Sequence, residues 1–191
     1  EDPYTDPGKA EKLAQCDAHL ALAREAACQS VVLLKNTGKA LPFSKKLKRV
    51  AVIGPSAKHT RLGGYTCDDA NEVSPLAGIK NKLDSSVEIL HAEGCKLMDP
   101  SRRGFARALK IAKKADAVIL CMGNSSDKVI GQPETTEGER HDRCNLDLPG
   151  VQEELIQEIA KVNPKTVVLL QNGSAITMEA WIDKVPAIVE A

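Results

Sequence analysis

Aromatic side chains are nearly missing from this sequence: two Phe, two Tyr and one Trp make up 3% of 191 residues. Platforms that stack nucleic-acid bases or long glycans need several such rings, so neither is expected within this chain. An excess of either charge is also missing, since 26 Lys and Arg balance 26 Asp and Glu. No basic field points to nucleic acid, and no acidic tail points to a basic partner. Long apolar runs are absent too. The longest, VVLL and AVIL, fall far short of the roughly 20 residues that a bilayer-spanning helix needs, so no membrane association is expected. The opening EDPYTDPGKA is acidic and polar, unlike a signal peptide. None of the six cysteines forms a Cys-x-x-Cys pair, and the histidines at 19, 59, 91 and 141 are scattered, so no zinc site is expected. Cys121 lies in an apolar run and reads as a buried thiol. Cys67 and Cys95 stand at loop positions and are candidates for a disulfide, which needs a short Cα separation.

What is present is alternation. The length suits one domain, or one domain with an extension. Residues 11–30 read as a helix, with Leu13, Cys16, Leu20, Ala23 and Ala27 at three- and four-residue steps. VVLLK (31–35) then reads as a short strand, and NTGKALPF breaks regular structure. From Leu47 strands and helices alternate. The strands are RVAVIG (49–54), SVEILHA (86–92), DAVILCMG (116–123), KTVVLLQNG (165–173) and PAIVEA (186–191). The helices lie between them: one capped by Ser74 with Pro75 in its first turn, one over 101–115 capped by Ser101, one over 148–162, and a weak one at AITMEAWI (175–182). Continuous apolar strands alternating with helices imply an α/β fold with a mostly parallel sheet sandwiched by helices on both faces. Ala191 falls in or just after a strand with no helix to cover it. An open edge is a liability, so the last strands of the domain are expected to be missing.

Ligands of such sheets bind beyond the carboxyl ends of the strands, where the loops after Gly54, Gly123 and Asn172 emerge. One of these loops holds PETTEGERHDR (133–143), a concentration of carboxylates without apolar periodicity. Glycosidic cleavage needs one carboxylic acid to protonate the leaving oxygen and a second carboxylate across the sugar, with the acid held protonated by burial or by a like charge. Glu137 and Glu139 are candidates, Gly138 gives the loop freedom, and Asp142 and Arg143 follow. The competing reading is a solvated loop in which Asp142 and Arg143 make local ion pairs. GPSAKHTRLGGY (54–65) could cradle an anion at a helix start. It lacks the dinucleotide glycine fingerprint, and Pro55 removes a donor, so no nucleotide cofactor is expected. Tyr65 could stack on a sugar face or cover the sheet edge. Lys35, at the end of an apolar strand, reads as a charge reaching water rather than as a catalytic amine.

Taken in order, AREAACQSVVLLKN, VAVIGPSA with LGGY, ADAVILCMG with EGERHDR, LDLPGVQEELI, VVLLQNGS and AIVEA resemble glycoside hydrolase family 3, the β-glucosidase and β-xylosidase family, from about residue 14 to 191. The resemblance implies an α/β sandwich packed against a TIM-type barrel. Residues 1–45 would be the helix and linker leading from that barrel, and residues 46–191 the sandwich. It implies retaining, exo-acting hydrolysis of a β-linked oligosaccharide or glycoside, with no cofactor. The aspartate nucleophile would sit on the absent barrel, so the isolated chain is expected to be inactive. In the pattern Glu-Gly-Glu-Gly-x-Asp-Arg the second glutamate falls on Glu139, the expected acid/base, with Glu137 and Glu134 as fallbacks. Tyr65 would line the aglycone subsite, and Arg143 is assigned to substrate binding with it. The family's glycine after the acid/base is Arg140 here, a cation that would lower the carboxyl's pKa if it points toward it. Many relatives are exported, which slightly favours a secreted or periplasmic setting. The sugar is chosen mainly by the barrel. The alternative function is a non-catalytic α/β module that binds a ligand or partner through the same sheet edge.

Overall fold

The computed structural model describes residues 4–66, 72–126 and 135–191. The chain divides into two units, Glu1–Val32 with Ala191, and Leu33–Glu190. In the first unit, α1 (Pro7–Leu13) opens on Asp6, whose carboxylate accepts from the backbone of Gly8 and Lys9, with Pro7 at the first helical position. The second helix, α2, spans Asp17–Ser30. The single helix expected over 11–30 is therefore two. Ala14 is extended and Gln15 takes φ 54, the left-handed region, so the helix is broken there. Alanine-rich periodicity carries on through such a three-residue interruption, Ala14 to Cys16, and does not mark it. Leu13 and Leu20, part of that periodic pattern, are exposed.

The second unit is built on a six-stranded sheet. In chain order the strands are β1 (Val32–Asn36), which starts at the boundary, β2 (Arg49–Ile53), β3 (Glu88–Ala92), β4 (Ala117–Gly123), β5 (Thr166–Gln171) and β6 (Ala187–Glu190). Their spatial order is β1-β6-β5-β4-β2-β3. The ladders β2–β3, β2–β4, β4–β5 and β5–β6 are all parallel. The helices of this unit are α3 (Pro75–Lys82), α4 (Phe105–Ala112) and α5 (Gln152–Val162). Ser74 caps α3, accepting from Ala77 N–H at 3.3 Å.

The strands read as unbroken apolar runs because both faces are covered. On one face Ile53, Leu120, Leu170 and Ile188 pack with Phe105 and Ala108 of α4 and with Leu155, Ile156 and Ile159 of α5. On the other, Val50, Val52 and the buried thiol of Cys121 pack with Ile79 of α3 and with Leu83. Among the described residues no helix is long and apolar enough to cross a membrane.

Two local expectations fail, each because a distant segment takes over. Ser101 does not cap α4: the helix begins at Phe105, with Gly104 as its N-cap. A Cβ on Gly104 would lie 2.2 Å from Gly94 O, so the turn before α4 is shaped by backbone packed against the loop after β3. Nor does AITMEAWI form a helix. Instead Thr177 N–H donates to Leu146 O at 2.8 Å, and its hydroxyl to Asp147 Oδ1 at 2.7 Å. A 3₁₀ turn, Ile182–Lys184, then leads into β6.

Candidate functional site

The strand order reverses between β2 and β4. The chain leaves β2 for β3 on one side, then returns to pair β4 on the other. The helix after β2 lies on one face of the sheet and the helix after β4 on the opposite face. The loops after these strands therefore part, opening the crevice where such sheets bind ligands. Glycines end both strands because the neighbouring backbone comes too close there for a side chain. Gly54 has φ 131, and a Cβ there would lie 2.0 Å from Cys121 O; Gly123 has φ 142, and a Cβ there would lie 1.9 Å from Gln171 O. Gln152, at the start of α5, fixes the end of β4. Its Oε1 accepts from Gly123 N–H at 3.0 Å, and its Nε2 donates to Gly123 O at 2.9 Å and Leu97 O at 3.2 Å. It is fully buried. The sequence reading passed over it, since a glutamine in a helix's first turn carries no local sign of burial.

The acidic loop returns to this point through Thr136, whose N–H donates to Ser125 O at 2.7 Å and whose hydroxyl accepts from Ser125 N–H at 2.8 Å. Successive side chains then take opposite directions. Glu137 is buried, 4% exposed. One of its oxygens accepts from Gly173 N–H at 2.6 Å and the other from the Ser174 hydroxyl. Gly138 has φ 97, and a Cβ there would lie 2.8 Å from Ser126 Cβ. Glu139 is exposed and its Oε2 accepts from the Tyr65 hydroxyl, so a residue of the β2 loop meets a residue of the β4 loop across the crevice. Arg140 takes φ 65, keeping the left-handed backbone that glycine, the residue of the resembled motif, adopts most easily. His141 N–H closes the turn on Gly138 O at 3.1 Å.

Glu137, Glu139 and Tyr65, three of the residues singled out from sequence, line one cavity of about 130 Å³ together with Ser126, Thr135 and His141. Arg143 stands to one side. Its guanidinium donates to Ser174 Oγ and Ala175 O, both at 2.7 Å, and to Asp147 O at 2.9 Å, tying the acidic loop to the loop after β5. Glu134 lies outside the described residues. Cys67 does too, while Cys95 is a free, buried thiol. Burial pushes the thiols of Cys95 and Cys121 up to about 12, which leaves both inert. Lys35 has a structural position, donating to Ile182 O at 2.5 Å. No cluster of His, Cys, Asp and Glu among the described residues could hold a metal ion.

The electrostatics follow from these contacts. The hydrogen bond to Glu139, with a smaller contribution from lost solvent, raises the Tyr65 phenol above its ordinary value, so it remains a donor. Glu190, half-buried at the end of β6, has its carboxyl raised by burial and further by the charge of Glu137, against the bond from Asn172. A raised folded-state value means that the stability associated with this group is complete below the ordinary glutamate range and is lost as pH rises through the raised value. Glu190→Gln is therefore expected to melt above the parent at pH 7. The two melting curves should converge below about pH 4, measured by thermal denaturation across pH.

Comparison with known proteins gives the family. Residues 31–191 match the Glycosyl hydrolase family 3 C-terminal domain. The chain belongs to that family. A β-xylosidase from Formosa agariphila is 38% identical to this family 3 domain over 183 residues, which is 91% of the chain and 24% of the relative. Among solved structures, a GH3 β-glucosidase from Bifidobacterium adolescentis superimposes with a TM-score of 0.78 at 32% identity, covering 100% of this chain and 26% of that one. A β-glucosidase from Erythrobacter marinus gives a TM-score of 0.87 at 28% identity, covering 100% of this chain and 28% of that one. The chain thus spans about a quarter of the length of these relatives, and the family 3 C-terminal domain is one part of such enzymes.

Proposed function

We propose that this domain supplies the general acid/base of a retaining, exo-acting β-glycosidase of the β-glucosidase or β-xylosidase type, and that Glu139 is that group. The observation that carries the reading is the meeting of Glu139 and Tyr65 over the crevice between the β2 and β4 loops. A carboxyl is there exposed to an incoming ligand and oriented by an aromatic hydroxyl. The nucleophile is an aspartate of a barrel domain outside this chain. In the first step that carboxylate attacks the anomeric carbon while Glu139 gives its proton to the departing glycosidic oxygen. In the second, Glu139, now a carboxylate, takes a proton from the water that attacks the glycosyl ester. The two carboxyls of a retaining pair stand about 5–5.5 Å apart. Tyr65 lines the aglycone side with its ring and holds Glu139 with its hydroxyl. No cofactor enters the reaction.

The chain alone carries one member of the pair and is expected to be inert. A longer protein that includes the barrel should release p-nitrophenol from the β-xyloside or the β-glucoside. Loss of both activities in a folded longer protein would overturn the reading and favour a binding module.

A further inference from the structure

Glu137 needs its own explanation. It is a carboxylate at 4% exposure, and burying a charge is costly unless it is fully hydrogen-bonded. Its two oxygens meet two donors, Gly173 N–H at 2.6 Å and the Ser174 hydroxyl. The same Ser174 oxygen accepts from Arg143 at 2.7 Å. Glu137 and Arg143 therefore grip one serine of the β5 loop from the two ends of a single turn, the turn that carries Glu139. Within it, Gly138 and Arg140 both take positive φ, 97 and 65, so the backbone on either side of Glu139 is held in conformations that few residues favour.

From this geometry we infer that Glu137 is a positioning residue: the clasp Glu137–Ser174–Arg143 fixes the turn and so fixes where the Glu139 carboxyl sits. The inference rests on Glu139 being the acid/base. Glu137 is 4% exposed and each of its oxygens already accepts a hydrogen bond from the β5 loop, so its carboxyl is held by the protein while Glu139 is the exposed one. Removing the clasp leaves the composition of the site intact but lets the turn move, and displacements of about 1 Å can lower a rate by about a hundredfold.

The test uses the full-length enzyme and four proteins: parent, Glu137→Ala, Glu139→Ala and the double variant. Each is assayed on an unactivated β-disaccharide and on the 2,4-dinitrophenyl glycoside, whose leaving group needs no proton. Glu137→Ala is expected to lower kcat on the disaccharide by about 10–100-fold with little change in KM, and to leave kcat/KM for the dinitrophenyl substrate nearly unchanged. In the Glu139→Ala background the same replacement should change disaccharide turnover by less than about twofold, because there is no proton donor left to misplace. Equal losses on both substrates, or the same loss with and without Glu139, would overturn the inference and leave Glu137 a general framework residue. If Glu137→Ala does not fold, Ser174→Ala keeps the carboxylate, removes one donor, and is held to the same criteria. Should Glu139→Ala leave disaccharide turnover intact, the acid/base assignment fails and this inference with it. A selective effect of Glu139→Ala beside a non-selective effect of Glu137→Ala sinks the clasp alone.

Discussion

Replacing Glu139 with Gln in the full-length enzyme is expected to lower kcat on an unactivated β-disaccharide by about 10²–10⁴-fold, the range that general acid catalysis supplies. An amide keeps the shape of the side chain and its hydrogen bond from Tyr65, but it has no proton to give. The loss should shrink as the leaving group becomes more acidic, and for a dinitrophenyl glycoside the glycosylation step should be almost untouched. Deglycosylation still requires a base, so glycosyl-enzyme should accumulate and produce a burst of released phenol in rapid-mixing kinetics. A uniform loss across the leaving-group series would indicate a binding role instead. Tyr65 enters the same account. Its phenol, raised by the bond to Glu139, stays protonated and orients whichever form of the carboxyl is present.

The largest expected effect on stability belongs to Gly123→Ala. The residue has φ 142, and its new Cβ would lie 1.9 Å from Gln171 O, which accepts from Asn124 N–H at 3.0 Å. Left-handed backbone costs a non-glycine residue about 1–2 kcal/mol. Moving Gln171 away forfeits a buried backbone bond, about another 1–3 kcal/mol. Strain on the Gln152 bonds to the same residue adds to this. The first two contributions sum to about 2–5 kcal/mol against a typical stability of about 5–15 kcal/mol, so the variant should lose much of its urea resistance or fail to fold. A midpoint equal to the parent's would mean that the close approach of β4 and β5 at Gly123 is wrong. Because Gly123 ends the strand from which the acidic loop departs, disruption there should also remove activity, with no selectivity among leaving groups. That pattern separates it from the Glu139 and Glu137 variants.

The parts of the fold that rest on local pattern were legible in advance. Apolar runs at β2, β4 and β5 marked a sheet covered on both faces, Ser74 and Pro75 marked the start of α3, and the glycines ending β2 and β4 marked the ligand edge. What escaped depends on partners far away in sequence. The break at Gln15 sits in a stretch whose alanines satisfy either one helix or two. Gly104 replaced Ser101 as the cap because the backbone of Gly94 packs there. The loop after β5 declined to form a helix because Thr177 bonds to Leu146 and Asp147.

The site divides the same way. The acidic loop, Tyr65 and both glutamates were visible as residue types at one sheet edge. Nothing in EGE distinguishes the carboxylate turned inward from the one turned outward. That difference is made by Ser174, 37 positions after Glu137, and by Gly138, which has no room for a side chain beside Ser126. Arg143, assigned from the motif to substrate binding, has its guanidinium engaged by the backbone of Ala175 and Asp147 and by the Ser174 hydroxyl, contacts that the motif alone does not reveal.

The central claim, that Glu139 exchanges a proton at the glycosidic oxygen, is tested most directly by anion rescue. In the full-length Glu139→Ala variant, turnover of the dinitrophenyl glycoside should be limited by breakdown of the glycosyl-enzyme. Added azide, which needs no general base, should fill the space left by the carboxylate and restore the rate, giving the β-glycosyl azide as product. Absence of both rate recovery and glycosyl azide, in a variant that still forms the glycosyl-enzyme, would contradict the assignment.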